Sequence, residues 1–404
     1  LGDMEHVAIT RSMRCAHVSL GKAISGDVPC GVEEWLPRST ISPAELCERL
    51  NVERSERQGP YRSEHDGVIS DDEMLGNLNA KMKDKVFSAT MLETYRRCPM
   101  SYFLRYVLYL SPLEGDEDSE ALRVGNAAHR ILFRFYRERI EKGLGMPSPS
   151  EVETAKESVR RIGDEVRQEI MADGAVSQAS FRALIGDDEM NGALGKFVDM
   201  QASVDLPRWT PAHLEFSFGH KFSKERNDAG STEEPAEIQL SNDPGDIIKL
   251  RGKVDRIDAN DGTFVIIDYK TGSVPSHSQM VRGYYMQLPL YLMACERLLH
   301  LRAAGGAYYQ LKNDNRFGMH LRTASLDFKQ ELGGSNRAYR PGLRDDMEIC
   351  KRNVKEIIEG ISQGKFHPVD STESERCSSY CLYSRICRKD AMRVLQMSLA
   401  REAP

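Results

Sequence analysis

The chain has 404 residues, 40% hydrophobic and 29% charged, with a formal net charge of −6. That is enough for one large or two ordinary domains, and the acidic balance leaves any nucleic-acid binding to local patches. No apolar run approaches the roughly 20 residues of a membrane helix and no charged-then-apolar signal peptide is present, so a cytoplasmic protein without membrane contact is expected. Nine cysteines in such a chain point to a reducing compartment, where clustered cysteines bind metal more often than they form disulfides. The first residue is Leu1 and not methionine, which suggests a piece of something longer.

Residues 5–20, EHVAITRSMRCAHVSL, contain the run Val7, Ala8, Ile9, Thr10, Arg11 and Ser12. It resembles the V-A-L-T-R-A core of the last motif of UvrD-like superfamily 1 helicases. The resemblance gives Arg11 the role of reaching the γ-phosphate of ATP; an ordinary buried strand with an adjacent arginine is the plain alternative. No G-x-x-x-x-G-K-[ST] loop accompanies it, since Gly21-Lys22 is followed by alanine. Residues 1–25 are therefore expected to be the tail of a motor domain, not a helicase. Residues 26–86, rich in Gly, Pro, Ser and charge, are expected to be a partly disordered linker with one short helix, Pro43 to Leu50.

From Phe87 the texture changes. FSATMLETYRRCPMSYFLRYVLYL predicts helix after an N-cap at Ser88, interrupted at Pro99, with Cys98 at the interruption. A lone cysteine among aromatics usually packs. Ser119 to Ile140 predicts a second helix, on which Gly125 and His129 share a face; a single helical histidine is more often structural than a ligand. Eight arginines on these two helices read either as a solvated face or as a phosphate-backbone track. Glu151 to Ala172 and Glu189 to Ser203 predict scaffold helices. Leu214 to Phe222 predicts a strand with Glu215 on its polar side, near a metal or facing solvent, and 223–246 a mobile loop.

The most informative stretch is KLRGKVDRIDANDGTFVIIDYKTG, residues 249–272. Alternation over Ile247 to Asp258, a turn at Asn260, Asp261 and Gly262, and a β-branched run over Thr263 to Lys270 predict a hairpin. Asp268 and Lys270, two apart on a strand, share a face, and Asp255 from the neighbouring strand can reach the same spot. Two carboxylates and an ammonium group at buried strand ends suit a hard divalent cation such as Mg²⁺, with the lysine beside a metal-bound water. A hairpin with solvated end charges is the bland alternative.

Beyond it, Ser276 to His300 predicts a helix projecting Gln287 and Tyr291 together. Arg302 to Leu311 and Met319 to Leu326 predict strands, and Pro341 to Gln363 a long helix. In the tail, CSSYCLYSRICR places Cys377, Cys381 and Cys387 within eleven positions, which points to a metal centre. Three ligands leave it one short of the usual four, and Cys98 is a candidate fourth. Such a staple would close a loop of roughly 280 residues, where a crosslink restricts the unfolded chain most.

Taken together, SATMLETYRRCP, GNAAHRIL, GKVDRID, VIIDYKTG, QLPLY and the tail cysteines resemble a PD-(D/E)XK nuclease domain with an iron–sulfur staple, as in AddAB-type and RecB-type helicase–nucleases. The resemblance covers about Phe87 to Arg388 and implies a restriction-endonuclease-like α/β fold over 87–404: a mixed central sheet flanked by helices, with a C-terminal cysteine cluster. It implies His129, Asp255, Asp268 and the backbone of Tyr269 as holders of Mg²⁺ or Mn²⁺. Asp255, Asp268 and Lys270 would be the catalytic residues, with Gln287 and Tyr291 as accessories. Cys98, Cys377, Cys381 and Cys387 would hold a [4Fe–4S] cluster. The family pattern has two residues between the first two tail cysteines, whereas Cys377 and Cys381 enclose three.

The implied function is metal-dependent hydrolysis of DNA, from ends rather than internally. Its substrate would be single-stranded or unwound duplex, and its partner a helicase motor in the same chain or another subunit. The setting would be double-strand break repair and recombination at the nucleoid. An inactive nuclease-fold DNA-binding scaffold in a helicase complex is the rival reading.

Overall fold

The computed structural model describes residues 66–110, 120–171, 176–187, 190–204, 208–222, 228–311, 316–332 and 342–369, with 377, 381–384, 386, 387, 389 and 394. Arg11, the motor-domain remnant and the helix expected at 43–50 lie outside those residues. The described residues form two compact units: one from 80–96 and 111–359, the other from 66–79, 97–110 and 360–394.

The first unit is built on a seven-stranded mixed sheet. Its strands are β1 (Val86–Ser88), β2 (Thr210–Phe218), β3 (Ala236–Gln239), β4 (Ile247–Asn260), β5 (Thr263–Lys270), β6 (Arg302–Gln310) and β7 (Arg316–Arg322). The path runs β1-β4-β5-β6-β7, and β2 and β3 also pair with the long β4. The β4–β5 hairpin follows the sequence closely. Asp261 (φ 44°) and Gly262 (φ 70°) both take the left-handed conformation, as a two-residue turn of type I′ requires. β5 and β6 are parallel, so a helical crossover must join them.

Along β4 the even-numbered residues from Ile248 to Asp258 are buried, so the apolar phase of the alternation carries one charged pair, Arg256 and Asp258. Val265, Ile267 and Tyr269 of β5 enter a core with three helices. These are α4 (Glu120–Glu141), α5 (Val152–Met171) and α7 (Ala193–Ala202), with the short α6 (Gln178–Ile185) beside them. The buried stripe of α4 is Ala127, Ala128, Ile131, Leu132, Phe135 and Tyr136, the three-to-four residue repeat of an amphipathic helix.

The expected single helix over Ser276 to His300 is two: α8 (His277–Val281) and α9 (Gln287–Leu299). Gly283 at φ 79° breaks it, and the freed backbone finds distant partners. Arg96 Nε donates to the Arg282 carbonyl at 2.7 Å, and Asn353 Nδ2 to that of Val281 at 3.0 Å. Glu93 Oε1 then caps the start of α9, accepting from the Met286 and Gln287 amides at 2.7 and 3.1 Å. Glu93 belongs to α2 (Ala89–Arg97), which starts as expected after an N-cap at Ser88, whose hydroxyl accepts from the Met91 amide at 3.3 Å; the short β1 leads into it. The stretch 223–246, expected as loop throughout, holds β3 antiparallel to β4. Within the expected linker, α1 (Asp72–Lys83) forms where Asp71 Oδ1 accepts the Met74 amide at 2.8 Å, an N-cap. Among the described residues, α10 (Phe328–Leu332) and α11 (Leu343–Ser362) are the last helices.

In the second unit, Cys98 caps α3 (Pro99–Tyr102), its sulfur accepting from the Ser101 amide at 3.4 Å. A π-helical turn, Phe103–Val107, continues it. Phe366 packs on Tyr102 and Phe103, with ring centroids 6.3 and 4.8 Å away, and the Tyr383 hydroxyl donates to the Leu110 carbonyl at 2.8 Å. Among the described residues no helix is long and apolar enough to cross a membrane.

Candidate metal and catalytic site

Strand pairing between β4 and β5 runs from Asn260↔Thr263 to Arg256↔Ile267 and stops there. At the next position Asp255 places a carboxylate where a backbone acceptor would stand: its Oδ2 accepts the Tyr269 amide at 2.8 Å. Its other oxygen meets His129 Nδ1 of α4 at 3.2 Å. Glu215, from β2, joins them, and one ligand atom from each of His129, Glu215 and Asp255 lies within 4.8 Å of the others. The backbone of Glu215 is left-handed (φ 53°), an uncommon conformation for a non-glycine residue and one that clusters at functional sites. Of the residues implied as metal holders, His129 and Asp255 thus converge. Glu215 is the third member, for which the sequence left solvent and site equally open.

Asp268 lies outside that trio and anchors a second array. One carboxylate oxygen pairs with Lys270 Nζ at 2.5 Å; the other accepts from Gln287 Nε2 at 2.7 Å. Gln287 closes the triangle, its Oε1 accepting from Lys270 at 3.2 Å. Asp268 Oδ2, although ion-paired, makes no well-angled hydrogen bond, so a buried carboxylate oxygen is left with acceptor capacity. Tyr291 makes no hydrogen bond within this triangle, although its hydroxyl bonds the Lys253 backbone and feels the charges of Asp268 and Asp255. It is buried with its ring 5.9 Å from that of Phe218, and a Cβ placed on Gly252 would fall 2.6 Å from it. Gly125, on the face it shares with His129, allows a close approach: a Cβ there would lie 3.1 Å from Thr271 Oγ1, just past β5.

The charges are strongly coupled. Burial alone would hold His129 neutral, but Asp255, Asp268 and Glu215 push its imidazole up to about 9. Burial and the Asp255 charge push Asp268 up to about 6 against the pull of Lys270. Burial also raises Glu215, opposed by its ion pair with Lys253. For Asp255 burial is outweighed by His129, Lys270 and the Tyr269 amide, and its carboxyl sits below the usual range. Lys270 is held above its ordinary value by Asp268 and Asp255 in spite of burial. An imidazole with carboxylate oxygens is a donor set for a hard or borderline divalent cation.

Behind the site, Arg256 and Asp258 form a fully buried ion pair with contacts of 2.6 and 2.5 Å. The guanidinium lies 4.1 Å from the Tyr136 ring centroid of α4 and donates to Gln201 of α7 at 3.1 Å and to the Tyr269 hydroxyl at 3.4 Å. Sequence reasoning passed over this pair, although two charges on the apolar phase of an alternating strand were the signal. Of the α4 arginines read either as a solvated face or as a phosphate track, Arg130 and Arg134 share one acid, Glu169 of α5, at 2.5 and 2.9 Å.

In the second unit, Cys98, Cys377, Cys381 and Cys387 are free thiols. Burial raises the Cys98 thiol to about 11, and each of the other three adds to the shift by charge, so all four lie within electrostatic reach.

A mixed sheet that presents D…D-x-K at the parting of two strands, beside a helical histidine, defines the restriction-endonuclease-like class. The chain belongs to the PD-(D/E)XK nuclease superfamily, whose family model matches residues 86–388. It is 29% identical over 287 residues to an ATP-dependent helicase/deoxyribonuclease subunit of Carboxydothermus hydrogenoformans, covering 67% of this chain and 25% of that protein. To the protein of the same name from Clostridium perfringens (strain SM101) it is 31% identical over 368 residues, covering 76% and 30%. The chain thus matches about a quarter to a third of these relatives' length.

Proposed function

We propose that the chain is the nuclease part of a helicase–nuclease, hydrolysing DNA phosphodiesters with Mg²⁺ or Mn²⁺. The observation that carries this reading is the convergence of His129, Glu215 and Asp255 beside the Asp268–Gln287–Lys270 triangle. His129, Glu215 and Asp255 would hold the ion, with Asp268 and the Tyr269 carbonyl as further oxygen donors. When bound, such an ion acidifies water and offsets charge developing on phosphate oxygens. Lys270, held charged by Asp268, orients the attacking water and faces the phosphate. Gln287 holds that ammonium and the Asp268 carboxylate in one geometry.

The four cysteines, all free thiols, suit a [4Fe–4S] cluster of structural role. The relatives' names, helicase/deoxyribonuclease subunits, support a strand delivered by a helicase motor; end-directed cutting in the repair of DNA breaks at the nucleoid is part of the same proposal. The test is cleavage of labelled single- and double-stranded DNA by anaerobically purified protein, with Mg²⁺, Mn²⁺ or EDTA, beside Asp268→Ala. Metal-dependent cutting that the substitution removes is expected, with shortening from the ends. Folded protein that binds DNA and cuts neither substrate overturns the reading in favour of an inactive scaffold.

A further inference from the structure

Glu215 serves two cations. It belongs to the trio whose ligand atoms lie within 4.8 Å of one another, and its carboxylate also pairs with Lys253 Nζ of β4. Lys253 stands two residues before Asp255, so strand alternation puts both side chains on one face. Both line a groove of about 700 Å³ whose other wall, on α4, carries Arg130, Arg134 and Arg137. The main chain of Lys253 is fixed: it lies opposite Ser217 in the β2–β4 ladder and is bonded by the Tyr291 hydroxyl. Its side chain is 43% exposed, against 11% for Glu215. The ammonium, on a flexible four-carbon stem, is therefore the part able to move.

We propose that Lys253 is a metal-dependent phosphate contact: it competes with a divalent ion for Glu215 and, when the ion prevails, carries its ammonium to a DNA phosphate in the groove. The proposal rests on the nuclease reading and deepens it, because it makes metal and DNA bind cooperatively. A bound divalent cation is the largest local charge in such a site. The Glu215 carboxylate then balances that charge in place of the lysine, and two cations so close repel one another. The groove is where the ammonium can go, since Lys253 already lines it. Arg130 and Arg134 are differently placed. Their acid is Glu169 of α5, outside the trio, so their pairing does not depend on the trio's occupant. A plain charged channel would use every cation alike with and without metal, whereas the Lys253–Glu215 pair makes one of them conditional. By linkage, whatever Lys253 adds to DNA affinity with metal bound it adds to metal affinity with DNA bound.

The test reads the two bindings separately on the full chain. Without DNA, Lys253→Met should bind Ca²⁺ about two- to five-fold more tightly than the wild type by calorimetry, the size expected of one partly exposed charge. DNA binding is read as fluorescence anisotropy of a labelled, cleavage-resistant phosphorothioate oligothymidylate across a salt series. With Ca²⁺ present, Lys253→Met should weaken binding and lower the salt slope by about one phosphate contact. In EDTA its slope should match that of the wild type. Lys253→Arg keeps the charge and should follow the wild type in both conditions. Unchanged Ca²⁺ affinity in Lys253→Met overturns the proposal. So does an equal loss of DNA affinity with Ca²⁺ and with EDTA, which is the result of a plain charged channel. Mg²⁺-dependent cleavage of unmodified DNA by the wild type separates the two readings. Cutting without these Lys253 effects removes the metal-dependent contact alone, whereas the effects without cutting remove the nuclease alone.

Discussion

Arg256 and Asp258 face each other through two hydrogen bonds, both side chains wholly excluded from water. Removing one partner of such a pair strands the other charge in a low-dielectric interior and costs on the order of 3–5 kcal/mol. Arg256→Met or Asp258→Ala alone should therefore lower the urea midpoint sharply, and Arg256→Met with Asp258→Leu should recover much of the loss. Singles as stable as the parent would show that the pair contributes nothing to the fold.

Gln287 should act through geometry. Gln287→Ala frees Lys270 and Asp268 to move and is expected to reduce kcat about 10- to 100-fold, the range for partners that orient ligands, with DNA binding nearly unchanged. Gln287→Glu would set an acceptor against Asp268 and should be worse. Single-turnover cleavage alongside binding isotherms distinguishes these outcomes from a loss of affinity.

Tyr291 should behave as packing. Tyr291→Phe is expected to leave cleavage within about three-fold of the parent, because it keeps the ring that fills the space beside Gly252 and Phe218 and loses only the hydroxyl's bond to the Lys253 backbone. Gly252→Ala drives a methyl into that ring and should cost roughly 1–3 kcal/mol, visible as a lower melting temperature.

Asp228 governs part of the acid stability. Burial opposes its charge, but His213 at 2.8 Å and the Gly230 and Leu214 amides at 2.7 and 3.2 Å hold its carboxyl below the usual range. A depressed folded pKa contributes stability above the unfolded value of about 3.9 that is lost as pH falls through the folded one. Asp228→Asn should thus be less stable than the parent at pH 7, and the gap should close as urea midpoints are followed down to pH 3.

Cys387→Ser should release iron and lower the melting temperature, whereas Asp268→Ala should leave iron and acid-labile sulfide unchanged. Metal and sulfide analysis of anaerobic preparations checks both.

The hairpin was legible because everything that defines it is local: alternation, an Asp-Gly turn and acid at strand ends. The break between α8 and α9 was not, since Gly283 sits in a stretch of otherwise unbroken helical spacing and its partners, Arg96 and Asn353, are remote. β3 was hidden for a related reason: four residues in a polar stretch become strand only against the ready edge of β4. In the site, Asp255, Asp268, Lys270 and Gln287 could be placed from their spacing and motifs. Glu215 could not, because its approach depends on a left-handed backbone that no pattern announces.

Glu93 caps α9 across nearly two hundred residues, its two bonds spanning 193 and 194 positions of the chain. The helix that presents Gln287 therefore has its first turn completed by the segment synthesised earliest in its unit. A fragment beginning after residue 93 would still encode the histidine, the acids and the lysine, yet its α9 would start with open amides. Long-range closures of this kind fold late. On the ribosome, the acids and lysine of the hairpin would be in place before Gln287 is fixed over them.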